Sequence, residues 1–363
     1  MKWSTTVTDL LGMDVPIIAA PMGGGPSTPA LVASVSDAGG LGSVAGGYLS
    51  PEALEAEIAG VRQLTAAPFA VNLFAGVVPD IDPTAMEQAL AALGPLRQEL
   101  GLPPEPSLGE LAPPLEAQIE VVVKAAPAVV SFTFGLLEPA AIDALHAAGC
   151  VLIGTATTVA EARAVADAGV DAVCTQGFEA GAHRGTFLVD GRRSLVGSVA
   201  LVPQVCDAVG IPVIAAGAVM DGRGLAAMLS LGAGAVQMGT AFLRCPEAGT
   251  AIAYRAALLL AVDTSSALSS HITGRLARGI DNRLMRALAH CEVPEYPIMH
   301  VLTSELRRTA GAQGVAELMA LWCGQGVAMG TDRTAGEVVA EVAAAAASVL
   351  SQAAAVCAPD RRR

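Results

Sequence analysis

Residues 128–177, AVVSFTFGLLEPAAIDALHAAGCVLIGTATTVAEARAVADAGVDAVCTQG, decide the fold. Three short apolar runs, AVVSFTFG from Ala128, CVLIGTAT from Cys150 and AVCTQGF from Ala172, are evenly spaced and continuous rather than alternating. That is the pattern of parallel strands covered on both faces. Between them lie two segments of helical periodicity, Pro139 to Ala148 and Thr158 to Ala168, stopped by HAAG and DAGV. Glycine there supplies the left-handed residue that ends a helix. Strand, helix, strand at this spacing is a parallel crossover, repeated.

The same signature extends in both directions. VPIIAAPM from Val15, GLGSVAGG from Gly40, PFAVNLFA from Pro68, PVIAAGAV from Pro212 and AVQMGTAF from Ala235 complete a set of eight strands. Further helices are predicted over Thr28 to Asp37, Pro51 to Leu64, Leu195 to Val209 and Gly222 to Leu231. Eight such units predict an α/β fold, a closed (β/α)₈ TIM barrel, rather than an open sheet. Two intervals are oversized. One holds the Pro-rich LPPEPSLGELAPPLEAQ between the third and fourth strands, the other the loop EAGAHRGTFLVDGRR after the sixth. The chain after the eighth strand is also longer than one closing helix needs. The expected division is a barrel of residues 1–76, 127–250 and 312–363 and a small, mainly helical second lobe of residues 77–126 and 251–311.

Composition excludes several functions. With 21 Lys and Arg against 34 Asp and Glu the net charge is −13, and no basic stripe offers nucleic acid a footprint. The clusters at Arg192–Arg193 and Arg361–Arg363 read as a solvated loop and tail. Seven cysteines without a CxxC pair fit free thiols in a reducing compartment. MKWSTTVTDLLG has no apolar signal core, so a cytoplasmic protein is expected. Two charge-free stretches, 224–243 and 342–359, are interrupted by polar or alanine-rich sequence and read as core elements, not membrane spans. No metal-ligand spacing, GxSxG elbow or base-paired cysteine appears; Cys174 lies inside a strand run.

Chemistry in such a barrel sits at the carboxyl ends of the strands. Those ends carry Pro21, Met22 and Gly23; Asn72; Thr133; Thr155; Gln176 and Gly177; Ala216 and Gly217; and Gln237, Gly239 and Thr240. Amides and hydroxyls in this ring can hydrogen-bond a flat heterocycle. Small residues at the last two strand ends let backbone amides approach a phosphate. His183 follows the sixth strand on a loop flanked by Gly177, Gly181 and Gly185, which places an imidazole at the catalytic face. A polar-ringed mouth with one histidine and no nucleophile points to a cofactor that brings its own reactivity.

The chain resembles the class I nitronate monooxygenases, formerly 2-nitropropane dioxygenases. The resemblance covers most of the chain. It is carried by PIIAAPMGGG (16–25), NLF (72–74), SFTFG (131–135), QGFEAGAHRGTF (176–187), PVIAAGAV (212–219), GAGAVQMGTAFL (232–243), TGRLARGIDNR (273–283) and LWCGQG (321–326). It implies FMN as cofactor, with Met22, Asn72, Gln176 and Gly181 against the flavin ring or ribityl chain and the phosphate near Gly217, Gln237, Gly239 and Thr240. Pro21, Gly23, Thr155 and Ala216 complete the cofactor shell. His183 would face a small-molecule substrate, a nitronate, which the family oxidises with O₂ and without a nicotinamide. Tyr254 and Tyr296 are candidates for lining the substrate pocket or for packing, and Arg184 is either a holder of the loop through a carboxylate or a solvated side chain.

Two departures stand out. Ala182 replaces the family's usual second glycine, which matters where that residue needs a positive φ. Met299 and His300 stand where a Gln-Asn type pair is expected. Rival readings on the same barrel are a flavin-dependent enoyl-acyl-carrier reductase, an NAD(P)H:quinone reductase and a non-catalytic flavin-binding protein. The sequence leaves monomer or homodimer open.

Overall fold

The computed structural model describes residues 2–356 and contains the eight-stranded parallel sheet that the spacing predicts. Its strands are β1 (Ile17–Ala19), β2 (Gly42–Ala45), β3 (Phe69–Phe74), β4 (Val129–Thr133), β5 (Val151–Ala156), β6 (Ala172–Gln176), β8 (Val213–Ala216) and β9 (Ala235–Met238). Pairing runs round the barrel in chain order, with β9 returning to β1. Closure comes from Leu41, whose amide donates to Ile17 O at 3.0 Å while its carbonyl accepts from Ala19 N at 2.9 Å. No strand of the barrel is left as an edge.

The predicted helices appear as α2 (Pro29–Asp37), α3 (Pro51–Leu64), α6 (Pro139–Ala147), α7 (Val159–Asp167), α8 (Ser198–Ala208) and α9 (Gly222–Ser230), and the structure adds α1 (Thr6–Leu11) and, within the 77–126 excursion, α4 (Pro83–Glu99) and α5 (Leu115–Ala125). Side-chain caps fix several starts: Thr28, Ser50, Thr158 and Asp221 each accept from a first-turn amide. Inside the barrel, Ile18, Ala70, Val129, Ile153, Cys174 and Ile214 form one cluster, and α1 plugs the floor below them with Val7 and Leu11. A plugged floor leaves only the carboxyl end open to a ligand.

The second lobe holds α10 (Ile252–Leu260), α11 (Arg283–Leu288), α12 (Ile298–Ala312) and the hairpin of β10 (Ser266–Ser269) and β11 (Ala277–Ile280). Leu93 of α4 joins Leu258, Leu284, Ile298 and Leu302 in its core. The 77–126 excursion is divided in the structure. While α4 packs in the lobe, α5 lies on α3, β3 and α6 and buries Val122 in the barrel wall. A parallel crossover needs a helix covering the sheet, and α5 is the one available between β3 and β4. Leu318, Leu321 and Cys323 also pack in the lobe core, beyond the expected boundary at 311.

The last helix, α13 (Ala335–Val356), is long and apolar enough to cross a membrane by length and composition. Its first half instead packs on α9 and α2, burying Val338, Val339, Val342 and Ala346, while Ser351 to Val356 are exposed. Cys357 and the Arg361–Arg363 cluster lie outside the described residues. Contact with α9 is close enough to exclude a side chain at Gly222, where a Cβ would sit 2.3 Å from Ala346 N. Gly222→Ala is expected to lower stability by about 1–3 kcal/mol, the usual cost of overpacking against backbone. A chemical-denaturation midpoint equal to wild type would mean that α13 does not dock on this face.

Candidate active site

The open end of the barrel forms a cavity of about 720 Å³, closed from above by the second lobe. Every strand-end residue singled out as a cofactor contact lines it, from Pro21, Met22, Gly23, Asn72 and Thr155 to Gln176, Gly181, Ala216, Gly217, Gln237, Gly239 and Thr240. His183 and Tyr254 line it too. Tyr296 stands behind His183, ring centroids 5.5 Å apart.

The His183 loop is built into the structure rather than draped on it. Ala182–His183 form a short strand, β7, antiparallel to β11 with His183 opposite Ala277. Gln176, at the end of β6, spends both ends of its amide on this loop. Its Nε2 donates to His183 O at 3.0 Å, and its Oε1 accepts from Arg184 Nη1 and Gly185 N, both at 2.9 Å. Gln176 is therefore a loop anchor as well as part of the cavity lining, with both ends of its amide engaged by the loop. Arg184 is neither solvated nor paired with a carboxylate: it is buried and donates to carbonyls, Gly177 O at 2.7 Å, Gln176 O at 3.0 Å and Ser194 O at 2.8 Å. Gly181 is pressed against Gly324, whose amide nitrogen lies 2.6 Å from where a Cβ would stand. Ala182 has φ +59°, the left-handed region that the family's glycine would adopt freely.

His183 sits in an aromatic corner. Phe134, Tyr296 and Trp322 have ring centroids 5.5–5.7 Å from its own. Nε2 lies 2.8 Å from Thr273 Oγ1, while Nδ1 has no partner among the described residues and is accessible from the cavity. Burial, then the guanidiniums of Arg275 and Arg307, push its pKa down from 6.5 to about 3. The ring is neutral at ordinary pH, below the near-neutral titration expected of a lone loop histidine. Arg275 lies over the Phe134 ring at 4.1 Å and donates to the carbonyls of Arg184 and Thr186.

At the other side of the mouth, four amides await an acceptor. Among the described residues, the N–H groups of Gly217, Ala218, Gly239 and Thr240 have no main-chain or side-chain partner. Gly217 has φ +136° and Ala218 φ +50°, which turns successive amides toward one side. Such a concavity binds an anion such as phosphate. Asn72 is held by its Nδ2 bond to Ser131 Oγ at 3.0 Å, and Thr155 lies 3.2 Å from Thr133 at the hydroxyls. The Tyr254 hydroxyl donates to Trp322 O, so its ring lines the cavity while its polar tip is already used.

Sequence reasoning did not single out Tyr48, Phe74, Phe134 or Arg307, all of which line the cavity, as does His300, which it flagged only as a departure from the family pattern. Tyr48 and Phe134 were findable, since each follows a strand end. Nothing in the α12 sequence distinguishes a cavity-facing polar stripe from a solvated one.

Comparison with known proteins agrees with this geometry. The family model described as nitronate monooxygenase matches residues 4–344. A probable nitronate monooxygenase of Staphylococcus saprophyticus is 44% identical over 330 residues, 90% of this chain and 92% of that protein. One from Staphylococcus aureus is 41% identical over 340 residues, covering 93% and 95%. Among solved structures, nitroalkane oxidase from Streptomyces ansochromogenes superposes with TM-score 0.89 at 38% identity, covering 96% of this chain and all of that one. FabK from Thermotoga maritima follows at TM-score 0.77 and 28% identity, over 98% of this chain and 100% of that one.

Two measurements check the site. Ala182→Gly is expected to raise stability by up to about 1 kcal/mol by relieving the left-handed alanine; a lower melting temperature would mean that no strain is stored there. His183 and His300 would be protonated near 6.5 when unfolded but only near about 3 and about 2 when folded. Their stabilising contribution is then complete above pH 6.5 and is lost as pH falls toward 3. Melting temperature should fall between pH 7 and pH 4 less steeply in a His183→Asn/His300→Asn variant than in wild type. Parallel slopes would show that both rings charge freely in the fold.

Proposed function

The chain belongs to the nitronate monooxygenase family of flavin-dependent oxidoreductases, and from that premise we propose that it uses FMN and O₂ to oxidise alkyl nitronates to a carbonyl compound and nitrite. Propionate 3-nitronate and simple alkyl nitronates are the expected substrates. The observation that carries this reading is the open Nδ1 of His183 in a cavity whose lining includes arginine but no Asp or Glu. Such a lining favours an anionic nitronate over a neutral or cationic substrate.

The four unpartnered amides at Gly217, Ala218, Gly239 and Thr240 would hold one phosphate, which fits FMN. Met22, Gly181, Asn72 and Thr155 would border the ring system, with Pro21, Gly23, Ala216 and Gln237 completing the shell. When bound, the flavin supplies the electron acceptor that no side chain here provides.

His183 then orients the substrate. Thr273 Oγ1 lies between His183 Nε2 at 2.8 Å and Arg275 O at 3.3 Å. With its proton toward Nε2, it leaves the imidazole proton on Nδ1, where it can donate to an anionic nitro oxygen. A nitronate selects that tautomer. Phe134, Tyr296 and Trp322 keep water from the bond, which strengthens it. The second lobe would act as the substrate cap, since α12 supplies the far wall of the cavity.

Aerobic turnover of ethyl nitronate, followed by nitrite release, is the direct assay. His183→Asn is expected to keep its yellow colour and lose about 10²–10³-fold in kcat/KM, the usual cost of removing one positioned hydrogen-bond donor to an anionic oxygen. A wild-type protein that turns over no nitronate, but whose flavin is bleached anaerobically by NADH or NADPH, would overturn the reading in favour of a reductase.

A further inference from the structure

Residues 270–276, which join β10 to β11, pass the His183 loop as a tight strap. Gly274 has φ +82°, and a Cβ there would stand 2.4 Å from both Pro294 O and Tyr296 N, so the turn takes only glycine. The next residue, Arg275, reaches across to the barrel. Its Nε donates to Arg184 O at 3.1 Å, its Nη2 donates to Thr186 O, and its guanidinium carbon lies 4.1 Å from the centre of the Phe134 ring. None of the ion pairs among the described residues involves Arg275. A half-buried cation without a paired carboxylate is costly to keep. All three of its contacts fall on the segments that surround His183.

The strap grips that loop at several points. Arg184 is held at both ends of its backbone: its N–H donates to Leu276 O at 2.8 Å, and its carbonyl accepts from Arg275. His183 itself pairs with Ala277 of β11. The imidazole is held as well, because Thr273 Oγ1 lies 2.8 Å from His183 Nε2 and 3.3 Å from the Arg275 carbonyl. Phe134 stands between the guanidinium and the imidazole, its plane 81° from that of His183. A cation over the ring face favours the φ +79° that phenylalanine otherwise avoids. After burial, the charge of Arg275 also helps to keep His183 neutral. The other charged or titratable groups near that imidazole are Arg307 and His300 on α12 and Tyr296 before it, while Tyr296, Glu161, Tyr48 and Glu295 favour the charge on Arg275.

We propose that Arg275 is a positioning residue for the reaction: its guanidinium ties the strap of the second lobe to the His183 loop and to Phe134, and through them holds the imidazole at the substrate. This rests on the reading of the previous subsection, in which His183 orients the substrate. Arg275 is not among the residues that line the cavity, so it acts through His183 and Phe134, which are. Without it, the carbonyls of Arg184 and Thr186 are left to water, and the loop loses a fixed distance to the strap. Lysine keeps the charge, but an ammonium in place of a planar fork does not bind both carbonyls and cover the ring in one geometry.

The test is a double-mutant cycle on the flavin-loaded protein with ethyl nitronate, read alongside NMR of isotope-labelled histidine. Arg275→Met should lose about tenfold to a hundredfold in kcat/KM, the cost of a reacting group displaced by about an ångström. Arg275→Lys should recover part of it. In a His183→Asn background the same Arg275→Met change should cost no more than about twofold, because the imidazole it positions is gone. The His183 resonances, assigned by their loss in His183→Asn, should begin to protonate at higher pH in Arg275→Met than in wild type, where the pKa is about 3: a like charge is removed, and water enters past Phe134. Phe134→Leu, which leaves Arg275 its carbonyl bonds, serves in the same cycle if the methionine variant does not fold. A full loss repeated in the His183→Asn background, or an imidazole titration unmoved in a folded Arg275→Met protein, would overturn the positioning role. Absence of nitronate turnover in wild type would instead sink the proposed reaction, and the imidazole titration would still report whether Arg275 holds the ring.

Discussion

Two buried charges that never meet hold the mouth of this barrel in shape. The Arg184 guanidinium is surrounded by carbonyls of the loop's own ends, and the Glu161 carboxylate on α7 accepts from Thr157, Thr186, Phe187 and Leu188. Burial raises the pKa of Glu161, yet those hydrogen bonds outweigh it and hold the carboxyl below its ordinary value. An ion taken out of water survives where enough dipoles replace the water. Here the dipoles belong to the segment that carries His183. The cost of burying each charge is thus coupled to one conformation of the loop: any other leaves an ion unsatisfied.

The same economy appears in backbone strain. Phe134, Ala182 and Ala218 have φ values of +79°, +59° and +50°, and all three line the cavity. Non-glycine residues adopt that region only where the surroundings over-determine them. Ala182 is fixed on one side by pairing with β11 and on the other by Gly181 wedged against Gly324. Phe134 turns its ring between Arg275 and His183. Strain at the first site positions an imidazole; at the second it places an apolar face where water would weaken that imidazole's hydrogen bond.

The barrel was legible because parallel strands buried on both faces announce themselves as unbroken Val, Ile and Ala runs, and because glycine stops mark the helix ends. The cavity-lining residues at the strand ends were legible for the same reason, since Asn72 near the end of β3 and Gln237 near the end of β9 interrupt an apolar run and mark its carboxyl end. What each side chain does there was less so. Gln176 reads as a ligand-facing group in sequence and Arg184 as a loop holder or a solvated residue, and the two are joined to each other. α5 looked like part of an excursion because its Pro-rich approach hides a crossover helix that only the sheet's topology demands. The α12 wall showed only through the family resemblance, as a departure at Met299 and His300; by their own pattern His300, Ser304, Arg307 and Arg308 make an ordinary polar helix face until the lobe covers the barrel.

That folding-down explains how an acidic protein could host the anionic substrate proposed for it. Charge on the outer surface is screened within about 10 Å at ordinary salt, whereas charges in a closed cavity interact through protein. Excluding Asp and Glu from the lining therefore matters more than the net charge of −13. Burial depresses both imidazoles most, with Arg275 and Arg307 adding to it at His183 and Arg307 at His300, so the cations that would attract an anion also help to keep the imidazoles neutral. A neutral imidazole has one donor and one acceptor, and its neighbours choose which faces the ligand. Thr273 leaves the choice at His183 to the bound anion, while Arg307, whose Nη2 lies 3.2 Å from His300 Nδ1, has already made it at His300. One histidine is adaptable and the other preset, a difference that follows from whether the neighbour is a hydroxyl, which can turn, or a guanidinium, which cannot accept.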